Sequence, residues 1–252
     1  MSDIPIALQL YSIREEMAQD VPATLQKVAD MGYDGVEFAG FFEHDPEELG
    51  EMCEDLGLGI AGAHVQVTAI QESEIQATID DMLALGNDYI VVPGLPDEYR
   101  NSVEAWESTA ELFNVAVEKI TQEELELGYH NHAHEFEPLE GEIPWDVLMS
   151  NTREDVFGQL DIGHCIRAGQ DPALYLEKYA GRSLTVHVKD FDPDNEDVLV
   201  GEGVADWNLL FQLCEDVGGT EWYIIEQEHY PVPPIEAVET CLKNVKKMLS
   251  RD

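Results

Sequence analysis

Lysine and arginine are scarce in this chain: 13 of them face 53 aspartates and glutamates, for a formal charge of −40. Binding a phosphate backbone or an anionic membrane needs clustered cations, so this balance excludes nucleic acid and membrane surfaces as partners. No run approaches the ~20 consecutive apolar residues of a membrane span. The opening MSDIPIALQLYS lacks the basic-then-apolar design of a secretory leader, and a cytoplasmic protein is expected. There are four cysteines, Cys53, Cys165, Cys214 and Cys241, without the paired spacing of a metal or redox motif. In a reducing cytosol they read as packing residues. No linker or low-complexity stretch divides the chain, so one domain over residues 1–252 is expected.

The carboxylates alternate with apolar residues instead of forming aromatic-poor acidic blocks, which excludes disorder as the reason for so much acid. Hydrophobic residues make up 44% of the chain, enough for a sizeable core. A folded protein this acidic fits a salt-rich cytoplasm, where screening shortens self-repulsion to a few ångströms. A halophilic source, and stability that falls as salt is removed, are the expectations.

Eight short apolar runs recur with amphipathic segments between them, beginning near Ile4, Asp34, Leu58, Asp88, Glu126, Val156, Ser183 and Glu221. This alternation is the signature of parallel strands joined by crossover helices. Continuous runs such as YIVV and WYII suit strands buried on both faces. Eight units in about 250 residues match a (β/α)8 TIM barrel. The rival open sheet is weakened by the lack of a G-x-G-x-x-G after the first strand.

Helix boundaries are marked as well. Asp45-Pro46 and Asp171-Pro172 place a capping acceptor before a proline at the first helical position. Gly32, Gly57, Gly86 and Gly218 read as left-handed helix ends. The longest helix is predicted within 102–124, and a closing helix over 232–249 with Lys243, Lys246 and Lys247 at its basic end. Residues 190–207 form a long strand-to-helix loop, which in a barrel lies on the catalytic face. Within it the glycines of VGEGV read as a turn and not as a phosphate cradle, because no Gly-Lys-Ser/Thr follows.

Functional side chains of barrels sit at the C-terminal ends of strands. Run five ends in His130-Asn131-His132 and continues to His134 and Glu135; run six ends in Asp161 with His164 three residues on. Run seven ends in His187 and Lys189, and run eight in Glu226, Gln227 and Glu228. Alternate strand residues share a face, so His130 with His132, and His187 with Lys189, point the same way. Singly, each has a structural reading as a packed histidine or a helix cap. Together, imidazoles and carboxylates on four adjacent strand ends suit one divalent ion of the Mn, Co, Zn or Mg type, with positions left open for substrate oxygens. Earlier strand ends add Glu37 and His64 as pocket lining, each with a structural alternative. Trp145 and Trp207 are candidate apolar walls or core anchors.

The segments GYHNHAHEF (128–136), LDIGH (160–164), HVKD (187–190), VGEGVADW (200–207) and WYIIEQE (222–228), in this order, resemble the sugar phosphate isomerase/epimerase group of the xylose-isomerase-like barrels. The match spans the whole chain. The resemblance implies a metal held by Asp161, His187 and Glu226, with His164 as a substrate-side histidine. The group places a glutamate ligand and base on its fifth strand, where this chain has histidines. Either a histidine fills that position, His132 in preference to His130, which then points toward the substrate, or the chain folds back so that Glu135 does.

On this reading the chain isomerises or epimerises a sugar or keto-sugar through a metal-stabilised enediolate. Glu226 or Glu135 would move the proton, with Lys189 or His164 assisting at oxygen. The same intermediate can expel a β-hydroxyl, so a dehydratase or lyase of a keto-sugar or inosose is the nearest alternative. A DNA-repair endonuclease shares the D-x-x-H pattern but requires a basic face, against the charge of −40. A non-catalytic sugar-binding barrel is a further reading, disfavoured by the intact ligand types. A small sugar is the expected partner, and a homo-oligomer is compatible with the sequence.

Overall fold

The computed structural model describes residues 4–250. Eight parallel strands close into a barrel in sequence order: β1 (Ile6–Gln9), β2 (Gly35–Phe38), β3 (Gly59–His64), β4 (Tyr89–Val92), β5 (Glu126–His130), β6 (Val156–Asp161), β7 (Thr185–Val188) and β8 (Trp222–Ile225). All eight lie within the predicted runs. Closure is made by β8 against β1, with Ala7 opposite Ile224, so the open sheet is excluded. Four of the strands are four residues long and buried throughout, as parallel strands covered by helices must be.

Inward-facing residues stack in layers of opposite character. The lower interior is apolar, with Ala7, Ala61, Val91, Phe157 and Ile224. Gly128 belongs to this layer because the Phe157 ring fills the space a side chain would take, its edge 2.5 Å from where a Cβ would lie. One step up each strand the interior turns polar: Gln9, Glu37, Gln159 and His187 are all fully buried. That change sets the floor of the functional site.

The predicted caps form: Asp45 Oδ1 accepts from the Glu47 N–H at 3.0 Å and Asp171 Oδ1 from Ala173 at 3.0 Å. Ser102 Oγ, not read as a cap from sequence, also accepts from Ala105 at 3.1 Å. The Ser102-capped helix runs Val103–Ile120 and the closing helix Pro234–Met248. Lys246 reaches across to the Gly32 carbonyl at 2.7 Å, while Lys243 pairs with Glu239. Gly32, Gly57 and Gly86 end their helices in the left-handed region. Gly218 does not: the helix beginning at Trp207 widens into a π turn over Cys214–Gly218, and the extra residue passes the left-handed role to Gly219, φ 70°. All four cysteines are buried free thiols. Among the described residues no helix is long and apolar enough to cross a membrane.

Candidate metal centre and active-site cavity

A cavity of about 430 Å³ opens at the C-terminal mouth of the barrel, with His64, His130, His132, His164, Glu226 and Glu228 on its walls. Its floor is built by register. Asp161 ends β6 directly beside His187 of β7, and His187 lies beside Ile224, two residues before Glu226. Gln159, paired with His130 of β5, points the same way as Asp161, so β5 to β8 deliver four ligand types to one point. His130, Asp161, His187 and Glu226 each present a ligand atom within 4.8 Å of the others, and all four are buried.

Two atoms in this group have no partner. Asp161 Oδ1 accepts the His164 N–H at 2.7 Å and caps the helix Ile162–Arg167, but Oδ2 makes no hydrogen bond. Asp161 is therefore a cap with one carboxylate oxygen left free. His130 Nδ1 is likewise buried and unpartnered. Ligand–metal bonds of ~2.0–2.2 Å bring ligand atoms to roughly 3–4 Å from one another, so this donor set fits a divalent cation after small side-chain shifts. Asp161 Oδ2 stands 3.8 Å from His187 Nδ1 and 3.9 Å from the Lys189 ammonium, too far for a hydrogen bond to either.

Charge is arranged around the same point. Burial works to lower the His187 pKa, but Glu37 and Glu226 outweigh it and hold the imidazole at about 10. His187 Nε2 lies 2.7 Å from Glu37 and Nδ1 lies 3.1 Å from Glu226. Burial pushes Asp161 up to about 7 against the pull of Lys189, and burial followed by the His187 charge keeps His130 far below the ordinary histidine range. His130 is thus neutral, the form that ligates a metal. Glu226 is held well below the carboxylate range: Lys189 and His187 overcome its burial. Above the floor, Lys189 Nζ lies 3.1 Å from His164 Nε2, 3.4 Å from Glu226, and in a short contact with Glu228. Burial and then Lys189 bring His164 down to about 2, leaving it neutral. Burial alone would lower Lys189, but Glu226, Asp161 and Glu228 raise it and keep it charged.

Several expected site residues lie elsewhere. The fifth-strand member of the buried group is His130; β5 ends there, and the chain then leaves the barrel wall, carrying His132 to the cavity rim beside His134 and Glu135. Glu135 is buried with one oxygen on the Tyr129 hydroxyl and the other on the His132 N–H, each at 2.7 Å, and does not line the cavity. Glu37 also does not line it. It sits beneath His187 and accepts from Gln9 and Gln159, each at 2.6 Å. His64 does line the cavity, its Nε2 2.9 Å from Gln159 Oε1. Trp207 is buried outside it, donating its indole N–H to Asp190 at 2.9 Å, and Trp145 packs in the core against Tyr129 and Phe136.

Sequence reasoning gave no role to Glu228, although two residues beyond Glu226 is the same-face spacing that would have shown it. Asp190 was missed too: its carboxylate gathers the N–H groups of Phe191, Gly201 and Ala205 with the Trp207 indole, folding VGEGVADW onto the end of β7.

The sequence profile of the family described as xylose isomerase-like TIM barrel matches residues 25–248. The chain belongs to the xylose isomerase-like TIM barrels. Among its relatives is an inosose dehydratase of Clostridium botulinum (strain Alaska E43 / Type E3), 26% identical over 82% of either chain. A sugar phosphate isomerase/epimerase from Parabacteroides distasonis ATCC 8503 superimposes with a TM-score of 0.84 at 25% identity, covering 97% of this chain and 98% of that one. The IOLI protein with a bound zinc atom shares the fold at 15% identity, with a TM-score of 0.74 over 98% of this barrel and 99% of that chain. Members of this barrel family thus include dehydratases and sugar isomerase/epimerases.

Proposed function

We propose that this barrel is a divalent-metal-dependent enzyme that removes the C–H proton beside the carbonyl of a polyhydroxylated ketone and expels a β-hydroxyl as water. The observation that carries the reading is the buried group His130, Asp161, His187 and Glu226, with Asp161 Oδ2 and His130 Nδ1 unpartnered, beneath a cavity walled by His164 and Glu228, both of which Lys189 contacts. When bound there, a Zn, Mn, Co or Mg ion would polarise the ketone and stabilise the enediolate as its charge develops.

The chain's own groups divide the remaining work. Glu226 is committed to the cation and Glu135 is sealed away, so the base is Glu228, whose side chain is 29% exposed at the cavity wall. Lys189 keeps its charge and lies against His164 and Glu228 of the cavity wall. It opposes the negative charge that forms on oxygen and supplies a proton to the departing hydroxyl. The proton taken by Glu228 and the one given by Lys189 balance the loss of water. The imidazoles His64 and His132 on the opposite wall position substrate hydroxyls. A cytoplasmic enzyme of a salt-rich cell remains the reading that composition supports.

The 26% identity to an inosose dehydratase supports a cyclic keto-polyol as substrate class. Isomerisation or epimerisation is the second reading, favoured by the similarity to the Parabacteroides protein. The two part at one step: the intermediate either loses its β-hydroxyl or is reprotonated. Metal-loaded protein is to be incubated with inososes, 3-keto sugars and ketoses in D2O, following deuterium beside the carbonyl and enone absorbance. Enone formation is expected. Deuterium incorporation without water loss would transfer the assignment to the second reading, and neither signal with any substrate would refute both.

A further inference from the structure

A second group of metal-ligating side chains stands at the cavity rim, sharing no residue with the first. His132, His134 and Glu135 each bring a ligand atom within 4.8 Å of the other two. The two imidazoles stack 18° from parallel with centroids 5.8 Å apart. His132 Nδ1 and His134 Nε2 are both shut off from solvent and make no hydrogen bond. His134 Nε2 lies 3.0 Å from Glu135 Oε1. Glu135 is wholly buried, and its bonds to Tyr129 and to the His132 N–H take one lone pair from each oxygen, so that the remaining pair of Oε1 faces His134 Nε2.

We infer that His132, His134 and Glu135 bind a second divalent ion, of the zinc or cobalt class. Two imidazoles and one carboxylate are the donor set of zinc sites that keep a position open, and nitrogen donors disfavour the oxygen-seeking magnesium and calcium. The hydrogen bonds of Glu135 fix its carboxylate on the turn that carries both histidines, so the three donors are held by a five-residue span, 131–135, and by Tyr129. The His134 side chain is 39% exposed, which gives an ion a path from solvent. This site stands whether or not the proposed reaction is correct.

Chelator-stripped protein titrated with Co2+ in high salt, which suppresses weak binding to the acidic surface, tests it by visible absorbance and equilibrium dialysis. Wild type is expected to bind two tight equivalents. His134→Ala should bind one, and Asp161→Ala should also bind one, with a different ligand-field spectrum. His134→Gln keeps the size of a half-exposed side chain and should lose the same equivalent as the alanine variant. A single tight equivalent in wild type, or two surviving in both His134 variants, would overturn the second site.

Discussion

Glu37→Gln tests whether the metal centre is organised from beneath. Glu37 is fully buried and takes the His187 Nε2 at 2.7 Å, which directs Nδ1 toward Asp161 and Glu226. Without metal, His187 is held at about 10 and carries protons on both nitrogens at neutral pH. An incoming cation must displace the Nδ1 proton while the Nε2 proton stays on Glu37. Glutamine keeps the shape of Glu37 but removes its charge. Loss of an outer carboxylate partner typically costs ~10–100-fold in metal affinity, or about 1.4–2.7 kcal/mol at 1.36 kcal/mol per decade.

Two measurements read this directly. Chelator competition at mildly alkaline pH gives the affinity, and calorimetry in buffers of different ionisation enthalpy gives the protons released. Wild type should release about one proton from His187 per ion near neutrality, and its affinity should climb as pH rises toward about 10. In Glu37→Gln the affinity should drop and the release fall below one proton, because Glu226 alone holds the second proton of the imidazole less firmly. Unchanged affinity together with unchanged proton release would refute the assignment of Glu37.

Four further outcomes follow. Alanine at His130 should abolish tight binding at the floor while alanine at His132 leaves it intact; the ligand-field spectrum of the Co2+ that remains bound separates them, and the reverse result would restore His132 as the fifth-strand ligand. Glu228→Gln should lower turnover by ~10²–10⁴-fold with the floor metal still bound, as loss of a general base does; near-wild-type kcat would remove it from that role. In the metal-free chain the ion pairs of His187 should stabilise the fold fully below the unfolded histidine pKa, ~6.5, and that stability should be lost as pH rises through about 10, whereas the depressed Glu37 adds stability that is lost as pH falls into the acid range. Denaturant midpoints across pH check both limbs, and a flat profile would contradict them. Dialysis from high to low salt should lower the melting temperature, because a net charge of −40 repels itself over a longer Debye length; a melting temperature independent of salt would argue against a halophilic design.

The barrel was legible in the sequence because each part carries a local signal. YIVV and WYII have the continuous apolar character of strands buried on both faces, and Asp45-Pro46 and Asp171-Pro172 mark helix starts through the chemistry of one side chain and one N–H. Strand ends exposed Asp161, His187 and Glu226 for the same local reason. What stayed hidden depends on where the chain turns after a strand stops. His130 and His132 share a face by alternation, and only the end of β5 at His130 decides which reaches the floor. Trp207 stood open between an apolar wall and a core anchor, and Asp190, seventeen positions earlier, decides for the anchor by drawing the indole inward. The shift from Gly218 to Gly219 required a π turn that periodicity does not announce.

An imidazole in place of a carboxylate on β5 alters the chemistry of the whole cavity under the proposed reading. The floor group then holds two carboxylates, Asp161 and Glu226, and His130 stays neutral, so a divalent charge is balanced without excess and retains its power to polarise a ketone. The carboxylates that face the cavity, Glu226 and Glu228, follow one strand, β8, while the facing wall offers His64 and His132. Inverting a carbon by proton transfer requires a base on one face and an acid on the other. Elimination requires only one base and a nearby donor for the leaving oxygen, and Glu228 with Lys189 supply both from a single side. The expected product is therefore an enone formed with the proton and hydroxyl leaving from the same face of the ring. Two substrates epimeric at the carbon beside the carbonyl, each deuterated there, read this out: loss of label from one epimer only agrees, and equal loss from both would require a second base on the histidine wall.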